Sequence, residues 1–483
     1  MKDHTLDEAM GRKRMPMTLS QRLARFVADV EYADLSAAVI DKAKACLLHF
    51  LGVGIAGAES GAALVARGTV EREEGRASAA ARLMLSGTGV GRSAAAFVNS
   101  VMGHAKLQED AYLTASHPGV TVIPAALAAA DGQAMAGSDL LTAIVCGYEA
   151  QCAITDGFIP RSNARGFRSS PIYGVFGATI AAAKLMRLDE AALVHALGLA
   201  ATFASGTFES SGGGMISILQ VAQAARNGVF AALLAREGAA ASPLALEGEH
   251  GFYRAFTGAE ITDPGPITGH LGQTWKILDV TLKRYPTAMF NQPPTHVMLE
   301  LTQAYDLTPD DITQIIVEMN SFETTYPTTG FHHPTAAEGD MSLGSTAYAV
   351  ACACVNRGMA IGRRRPAGWS TPMDGMERHP HHPMCMALAQ RVRVIGSELI
   401  RPLSPRLTVQ RRHGPTVVGM MSHAEAFRFG FEEDAQVIRG LVSEMALPAA
   451  QVERLVASVR QLEQLSDVDQ LLALTIAAEK VAS

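Results

Sequence analysis

The chain has few aromatic residues, no excess of basic charge and no long apolar run. Aromatic residues make up 6% of its 483 residues, so large rings contribute little to its core. The net charge of −6 gives no basic surface for nucleic acid, and we expect no nucleic-acid partner. Because no apolar run reaches the roughly 20 residues of a membrane-spanning helix, we expect no membrane partner. Residues 1–17 are polar and lack the apolar core of a signal peptide, which predicts a flexible tail and no secretion.

Cysteine is also scarce, and the pattern of potential metal ligands is poor. The 6 cysteines lie scattered in apolar surroundings, which is typical of buried free thiols in a reducing compartment. Together with the missing signal core, this predicts a cytoplasmic protein. The histidines at 332–333 and 379–382 lack the spacing to cysteine that zinc sites show, so we expect no metal. The glycines at 212–214 lack the lysine of a phosphate-binding loop.

Small residues and helical periodicity dominate the chain instead. Apolar residues recur at helical spacing through residues 18–270 and again through 421–483. Between them, Ile312 to Met319 alternates like a strand, Trp275 to Val280 also favours a strand, and Arg406 to Val418 predicts a hairpin. At 483 residues, the chain is longer than a single hydrophobic core ordinarily organises. We therefore predict a mainly α protein: an all-helical domain, discontinuous in sequence, with an inserted α+β domain at 271–420.

The segment from Gly103 to Gly119 is rich in titratable residues and lies between two segments whose apolar residues recur at helical spacing. It carries His104, Glu109, Asp110 and His117. Titratable groups between buried helices are costly unless they have a chemical task. The spacing alone leaves two interpretations open, a surface loop between helices and a functional site.

Several segments stand in a characteristic order and spacing: Ala43 to Gly52, His117-Pro118-Gly119 with Ile123-Pro124-Ala125, Gly147-Tyr148-Glu149, Gly174 to Ala178, Ala224 to Gly228, Gly248 to Phe252, and Lys283-Arg284-Tyr285-Pro286. In these segments the chain resembles the MmgE/PrpD family, which includes 2-methylcitrate dehydratase, cis-aconitate decarboxylase and iminodisuccinate epimerase. This resemblance implies the same helical fold with an α+β insertion, no cofactor, a homodimer, and a small di- or tricarboxylate as substrate.

The resemblance also implies roles for individual residues. His117 matches the family's active-site histidine, which makes it the candidate acid/base residue; the alternative is a histidine that opens a Pro–Gly turn. Asp110 lies in the family's acidic cluster and either orients that imidazole or faces water. His104 matches a histidine before the cluster, on the substrate-binding side, unless it is a satisfied helix-end residue. Tyr348 matches a tyrosine that either donates a hydrogen bond to the reacting centre or packs in the core.

Cationic residues are the candidate carboxylate ligands, and here the chain departs from the family. Lys283 matches a family lysine, and it or Arg284 is expected to bind a substrate carboxylate, the alternative being solvated charge. Arg168 stands where the family commonly has a histidine; a guanidinium stays protonated, so it suits carboxylate binding rather than acid catalysis. Ser217 stands where lyases of the family usually have a substrate-binding lysine, so one cation is missing. Leu107 replaces a typical aspartate.

Three functions remain open. The first is a dehydratase- or decarboxylase-type lyase that removes a proton next to a carboxylate, where cations stabilise the charge that develops. The second is an epimerase that removes and returns the proton; Arg168 favours it, because the resemblance implies that iminodisuccinate epimerase differs from the lyases in this region. The third is a catalytically inactive member with a binding role, which the missing lysine favours.

Overall fold

The structure is a computed structural model. It describes residues 17–74, 80–113, 115–212, 215–325, 345–357, 383–422 and 424–477. The predicted tail lies outside these ranges except for Met17, and so do the histidines at 332–333 and 379–382 and two of the three glycines at 212–214.

Helices make up the first half of the chain. They pack in one body that contains most of the apolar core. Their bounds are α1 Leu19–Asp29, α2 Ala37–Gly57, α3 Gly61–Glu73, α4 Arg92–His104, α5 Gly119–Ala130, α6 Gly137–Thr155, α7 Ile159–Ala164, α8 Ser169–Leu185, α9 Glu190–Phe203, α10 Ile216–Arg236, α11 Phe252–Thr257 and α12 Gly265–Thr268. Two short hairpin strands, β1 Ala81–Arg82 and β2 Gly89–Val90, lie between α3 and α4.

Local sequence signals explain where these helices begin and why they pack closely. Thr18 closes a capping box at α1, and Ser36 accepts a hydrogen bond from the first turn of α2. Glycine permits close contact between helices: a Cβ at Gly147 on α6 would come within 2.6 Å of the Val122 side chain on α5. The abundance of small residues is therefore a packing requirement of this helical body.

By length and composition alone, helix α10 is long and apolar enough to cross a membrane. However, 56% of its most apolar stretch is buried, and it packs against α4, α8 and α9. Core helices of soluble proteins often have this length and composition, so they are weak evidence for a membrane span. The expectation of no membrane partner stays a prediction.

The middle of the chain forms the mixed α and β part. Its elements are α13 Gln292–Tyr305, β5 Ile312–Asn320, α14 Ser321–Thr325, α15 Thr346–Asn356, α16 Pro383–Ala389, β6 Val392–Ser397, β7 Arg406–Arg411 and β8 Val417–Met420. The sheet has the order β6-β5-β7-β8, with β5 parallel to β6 and antiparallel to β7. The predicted hairpin at 406–418 is present as β7 and β8.

The predicted strand at 275–280 is wrong. Residues Lys276–Asp279 form a 3-10 turn, and the strand that follows is only Thr281–Leu282, β4. The carboxylate of Glu149 on α6 accepts hydrogen bonds from the backbone N–H of Lys276 at 3.0 Å and of Ile277 at 2.9 Å. Those two donors are therefore not available to a strand ladder.

The chain then returns to the helical body with α17 Phe431–Gly440, α18 Ala449–Arg460 and α19 Asp469–Ala473. Helix α17 packs on α2, where a Cβ at Gly52 would meet the Ile438 side chain at 2.6 Å. Lys42 on α2 donates to the Phe429 carbonyl at 3.1 Å. The mainly α fold with a mixed insertion is confirmed, whereas the exact domain boundaries stay predictions.

Candidate functional site

The polar segment between α4 and α5, residues 105–118, is the loop around which the site forms; we call it the site loop. Its strand β3, Asp110–Ala111, pairs antiparallel with β4, with Asp110 opposite Leu282. This pairing places Lys283, the residue after β4, beside Glu109. Two segments that are 174 residues apart in sequence thus meet at one point.

Lys283 and Glu109 form a buried ion pair. The Lys283 Nζ lies 2.5 Å from Glu109 Oε1 and 3.0 Å from the Leu107 carbonyl oxygen. The side chains are only 1% and 2% exposed. Burial alone would raise the pKa of Glu109, but the neighbouring Lys283 charge holds it well below its ordinary value. Burial lowers the pKa of Lys283.

His117 is a neutral imidazole with a fixed tautomer. Its Nδ1 donates to the Asp110 carbonyl oxygen at 2.7 Å. Because a carbonyl oxygen can only accept, Nδ1 carries the proton and Nε2 keeps its lone pair. Burial, together with the positive charge of Lys283 and the nearby His104, lowers the pKa of His117 to about 3. The ring is thus a proton acceptor at neutral pH.

His104 and Arg168 complete the cluster. The Arg168 Nη2 lies 3.4 Å from His104 Nε2, and its Nη1 donates to the backbone carbonyl of Ser217. His104 Nδ1 lies 3.4 Å from Glu109 Oε2, although neither atom has a well-aligned hydrogen bond among the described residues. The rings of His104 and His117 are 5.8 Å apart between centroids. Burial lowers the pKa of His104 as well.

The hydrogen bonds of the Asp110 carboxylate are to groups other than His117. That carboxylate accepts from the Gly119 N–H at 2.9 Å and from the Tyr148 hydroxyl at 2.7 Å. Burial raises its pKa to about 6. It is the backbone carbonyl of Asp110 that orients the imidazole, so the side chain fixes the start of α5 instead. A direct catalytic role of Asp110 stays a prediction.

Arg284 is placed elsewhere. The Arg284 guanidinium lies 4.5 Å from the centroid of the Phe429 ring, and its Nε donates to the Ala426 carbonyl at 3.2 Å. It therefore faces the chain before α17 rather than the cluster. Tyr348 lies buried on α15. The catalytic role of Tyr348 and the substrate-binding role of Arg284 stay predictions.

The structure thus brings His104, His117, Arg168 and Lys283 together, and Ser217 joins them through its backbone carbonyl. The sequence does not single out Glu109, which is the carboxylate at the centre of the cluster. The sequence holds no signal that separates Glu109 from Asp110, because adjacent strand residues face opposite sides and the register of β3 and β4 decides which one meets Lys283.

The cluster combines a proton acceptor with fixed positive charge in a desolvated setting. A neutral imidazole can take a proton from carbon, and cations in a low dielectric stabilise the negative charge left behind. No group of three or more His, Cys, Asp and Glu residues within the described ranges is arranged to hold a metal ion. The expectation of no metal stays a prediction.

The chain is similar to several known proteins. The model of the MmgE/PrpD N-terminal domain matches residues 21–264. A cis-aconitate decarboxylase-like protein of Aspergillus oryzae is 28% identical over 281 residues, which is 55% of this chain and 58% of that protein. Cis-aconitate decarboxylase of Aspergillus terreus is 29% identical over 238 residues (47% and 49%), and that of Homo sapiens is 28% identical over 200 residues (40% and 40%). The chain spans between two fifths and three fifths of the length of these relatives.

Proposed function

The chain belongs to the MmgE/PrpD family, and we propose that it is a lyase that acts on a small di- or tricarboxylate. The reaction is of the decarboxylase or dehydratase type and needs no cofactor. The similarity to cis-aconitate decarboxylases supports this reaction class.

The observation that carries the proposal is the free Nε2 lone pair of His117 within the buried cationic cluster. The Asp110 carbonyl fixes the tautomer, and Glu109 Oε1 lies 3.5 Å from Nδ1. A base with this tautomer can remove the proton next to a carboxylate, and the pair of electrons then delocalises into that carboxylate. Lys283 and Arg168 are the charges that stabilise it.

The cations of the cluster support an anionic substrate. Lys283 and Arg168 carry positive charge, the carboxylates of Glu109 and Asp110 act on Lys283, and lowered pKa values favour the neutral form of both histidines. A bound carboxylate would be attracted to both cations. It would also raise the pKa of His117 from its low unliganded value, which makes the imidazole a stronger base when substrate is present.

Arg168 supports epimerisation as a second candidate. Its guanidinium bonds to the Ser217 carbonyl and approaches His104, so it binds charge rather than supplying a proton. A lyase must assist a departing group, whereas an epimerase only returns the proton. Loss of the acidic histidine of the family at this position is a smaller handicap for the epimerase.

The test is an incubation in D2O with a panel of di- and tricarboxylates that includes cis-aconitate. Deuterium incorporation beside a carboxylate of recovered substrate or its epimer, followed by proton NMR, reports proton removal. Release of CO2 or water identifies the lyase, and exchange with inversion but no loss of a group identifies the epimerase. Neither exchange nor group loss with any member of the panel would leave the third alternative, a binding protein.

A further inference from the structure

A second buried histidine lies beneath the site loop. His49 on α2 is 1% exposed and contacts two distant parts of the chain. Its Nδ1 lies 2.6 Å from Asp434 Oδ1 on α17, and its Nε2 lies 2.6 Å from the Gln108 carbonyl oxygen in the site loop. Gln108 directly precedes Glu109, so this histidine connects the C-terminal helices to the ion pair of the site.

The geometry fixes the protons on this pair. The Gln108 carbonyl can only accept, so His49 Nε2 must carry a proton. A carboxylate 2.6 Å from Nδ1 requires a second proton between the two groups, whether it resides on the imidazole or on Asp434. Two lone pairs at that distance would repel each other. The His49–Asp434 pair therefore holds two protons and presents a fixed N–H to the site loop.

The backbone that receives this hydrogen bond needs to be held. Leu107 has φ of 47°, a left-handed conformation that costs energy for a leucine. Its carbonyl accepts from Lys283, and the Gln108 side chain donates to the Arg284 carbonyl at 3.1 Å. The His49 bond connects the Gln108 carbonyl, one residue after Leu107, to helix α2.

We propose that His49 and Asp434 are a positioning pair for the site. Through the Gln108 carbonyl they place the Glu109 carboxylate where it meets Lys283. This inference rests on the proposed function for its effect on turnover, but the positioning itself is a property of the unliganded protein. Asp434 lies outside residues 21–264, so the C-terminal helices contribute to a site whose other parts come largely from the matched segment.

Two substitutions of His49 form a matched pair. The side-chain amide nitrogen of His49→Gln stands near the position of Nε2 and can still donate to Gln108. The amide nitrogen of His49→Asn stands near the position of Nδ1 and can reach only Asp434. Both variants are neutral and lose the imidazole. A third variant, Asp434→Asn, keeps the Nε2–H tautomer because its amide can donate to Nδ1.

The control variant is Asp131→Asn, which weakens a buried ion pair with Arg82 far from the site loop. Amide hydrogen exchange, measured by mass spectrometry on peptides covering residues 105–113, reports order in the loop without substrate. We expect exchange there to be faster in His49→Asn than in wild type, His49→Gln, Asp434→Asn and the control. In proton NMR, we expect a resonance far downfield in wild type that Asp434→Asn removes.

Turnover supplies the second readout. We expect kcat of His49→Asn to fall by about tenfold to a hundredfold through misplacement of the ion pair, with little change for His49→Gln. Equal exchange in the two His49 variants would overturn the proposal. If His49→Asn does not fold, Asp434→Leu takes its place, since it removes the partner of His49 Nδ1, and loop exchange no faster than that of the control would overturn the proposal. A wild-type protein that turns over no carboxylate refutes the proposed function, while the exchange result still decides the positioning.

Discussion

Replacing Glu109 with glutamine tests whether the Lys283 ion pair is the charged centre of the site. The substitution keeps the side chain's shape but removes the charge 2.5 Å from Lys283 Nζ. Lys283 is 1% exposed, so its ammonium group cannot turn to solvent. Breaking a buried pair by removing one partner costs about 3–5 kcal/mol. That is a large part of the roughly 5–15 kcal/mol by which a protein is stable.

The pH dependence of this loss has a definite sign. In wild type, the pKa of Glu109 is held below its ordinary value, so its stabilisation is present at neutral pH and is lost as pH falls through that lowered pKa. In Glu109→Gln, the pKa of Lys283, which burial already lowers, falls further because no carboxylate opposes burial. A folded pKa below the unfolded one makes the variant more stable as pH rises. The deficit against wild type should therefore narrow as pH rises towards the ordinary pKa of lysine, about 10.4.

The assay is urea unfolding followed by tryptophan fluorescence at several pH values. Lys283→Met in the Glu109→Gln background should recover most of the lost stability, since replacing both partners removes the unpaired charge. As a control, Glu453→Gln breaks the exposed pair with Arg439 and should cost less than about 1 kcal/mol. A Glu109→Gln variant no less stable than that control, with no change in slope, would refute the ion-pair reasoning.

Four further predictions follow from single contacts. His117→Ala should reduce deuterium exchange into substrate by about a hundredfold or more while the free energy of unfolding changes by only about 1 kcal/mol, measured by NMR and urea unfolding. Because burial raises the pKa of Asp110 to about 6, wild type should lose up to about 3 kcal/mol of stability as pH rises from the ordinary pKa of aspartate to about 6. Asp110→Asn should not show this loss, and unfolding measured across that pH range checks it. Burial raises the pKa of Glu149 to about 7, so wild type should also lose stability as pH rises through about 7. Glu149→Gln should not show this part of the loss in the same unfolding measurements. Arg168→Met should raise the pKa of His104, because the guanidinium lowers it; NMR titration of the imidazole would show the shift.

Local periodicity predicted much of the fold, because helices and hairpins depend on nearby residues. Helix α6 and the hairpin at 406–418 follow from the pattern of apolar residues and a glycine turn alone. The strand predicted at 275–280 failed because a carboxylate on α6, 127 residues earlier in the chain, binds the N–H of Lys276. Periodicity contains no information about such a distant partner.

The site could be predicted only in part for the same reason. The resemblance indicated His117 and Lys283 as site residues. Whether Glu109 or Asp110 faces the lysine depends on the register of β3 and β4. No sequence signal connects His49 with Asp434, which are 385 residues apart. Their contact results from the packing of α17 on α2.

The position of Arg168 changes the meaning of the missing lysine. From the sequence, Ser217 appears as the loss of a substrate-binding cation, which favours an inactive protein. In the structure, the Arg168 guanidinium bonds to the backbone carbonyl of Ser217, so positive charge is present at that point of α10 although it originates at the start of α8. A guanidinium can bind a carboxylate but, unlike a histidine, does not release a proton near neutral pH. The substitution at 168 therefore bears on which proton transfers are possible more than on whether an anion binds.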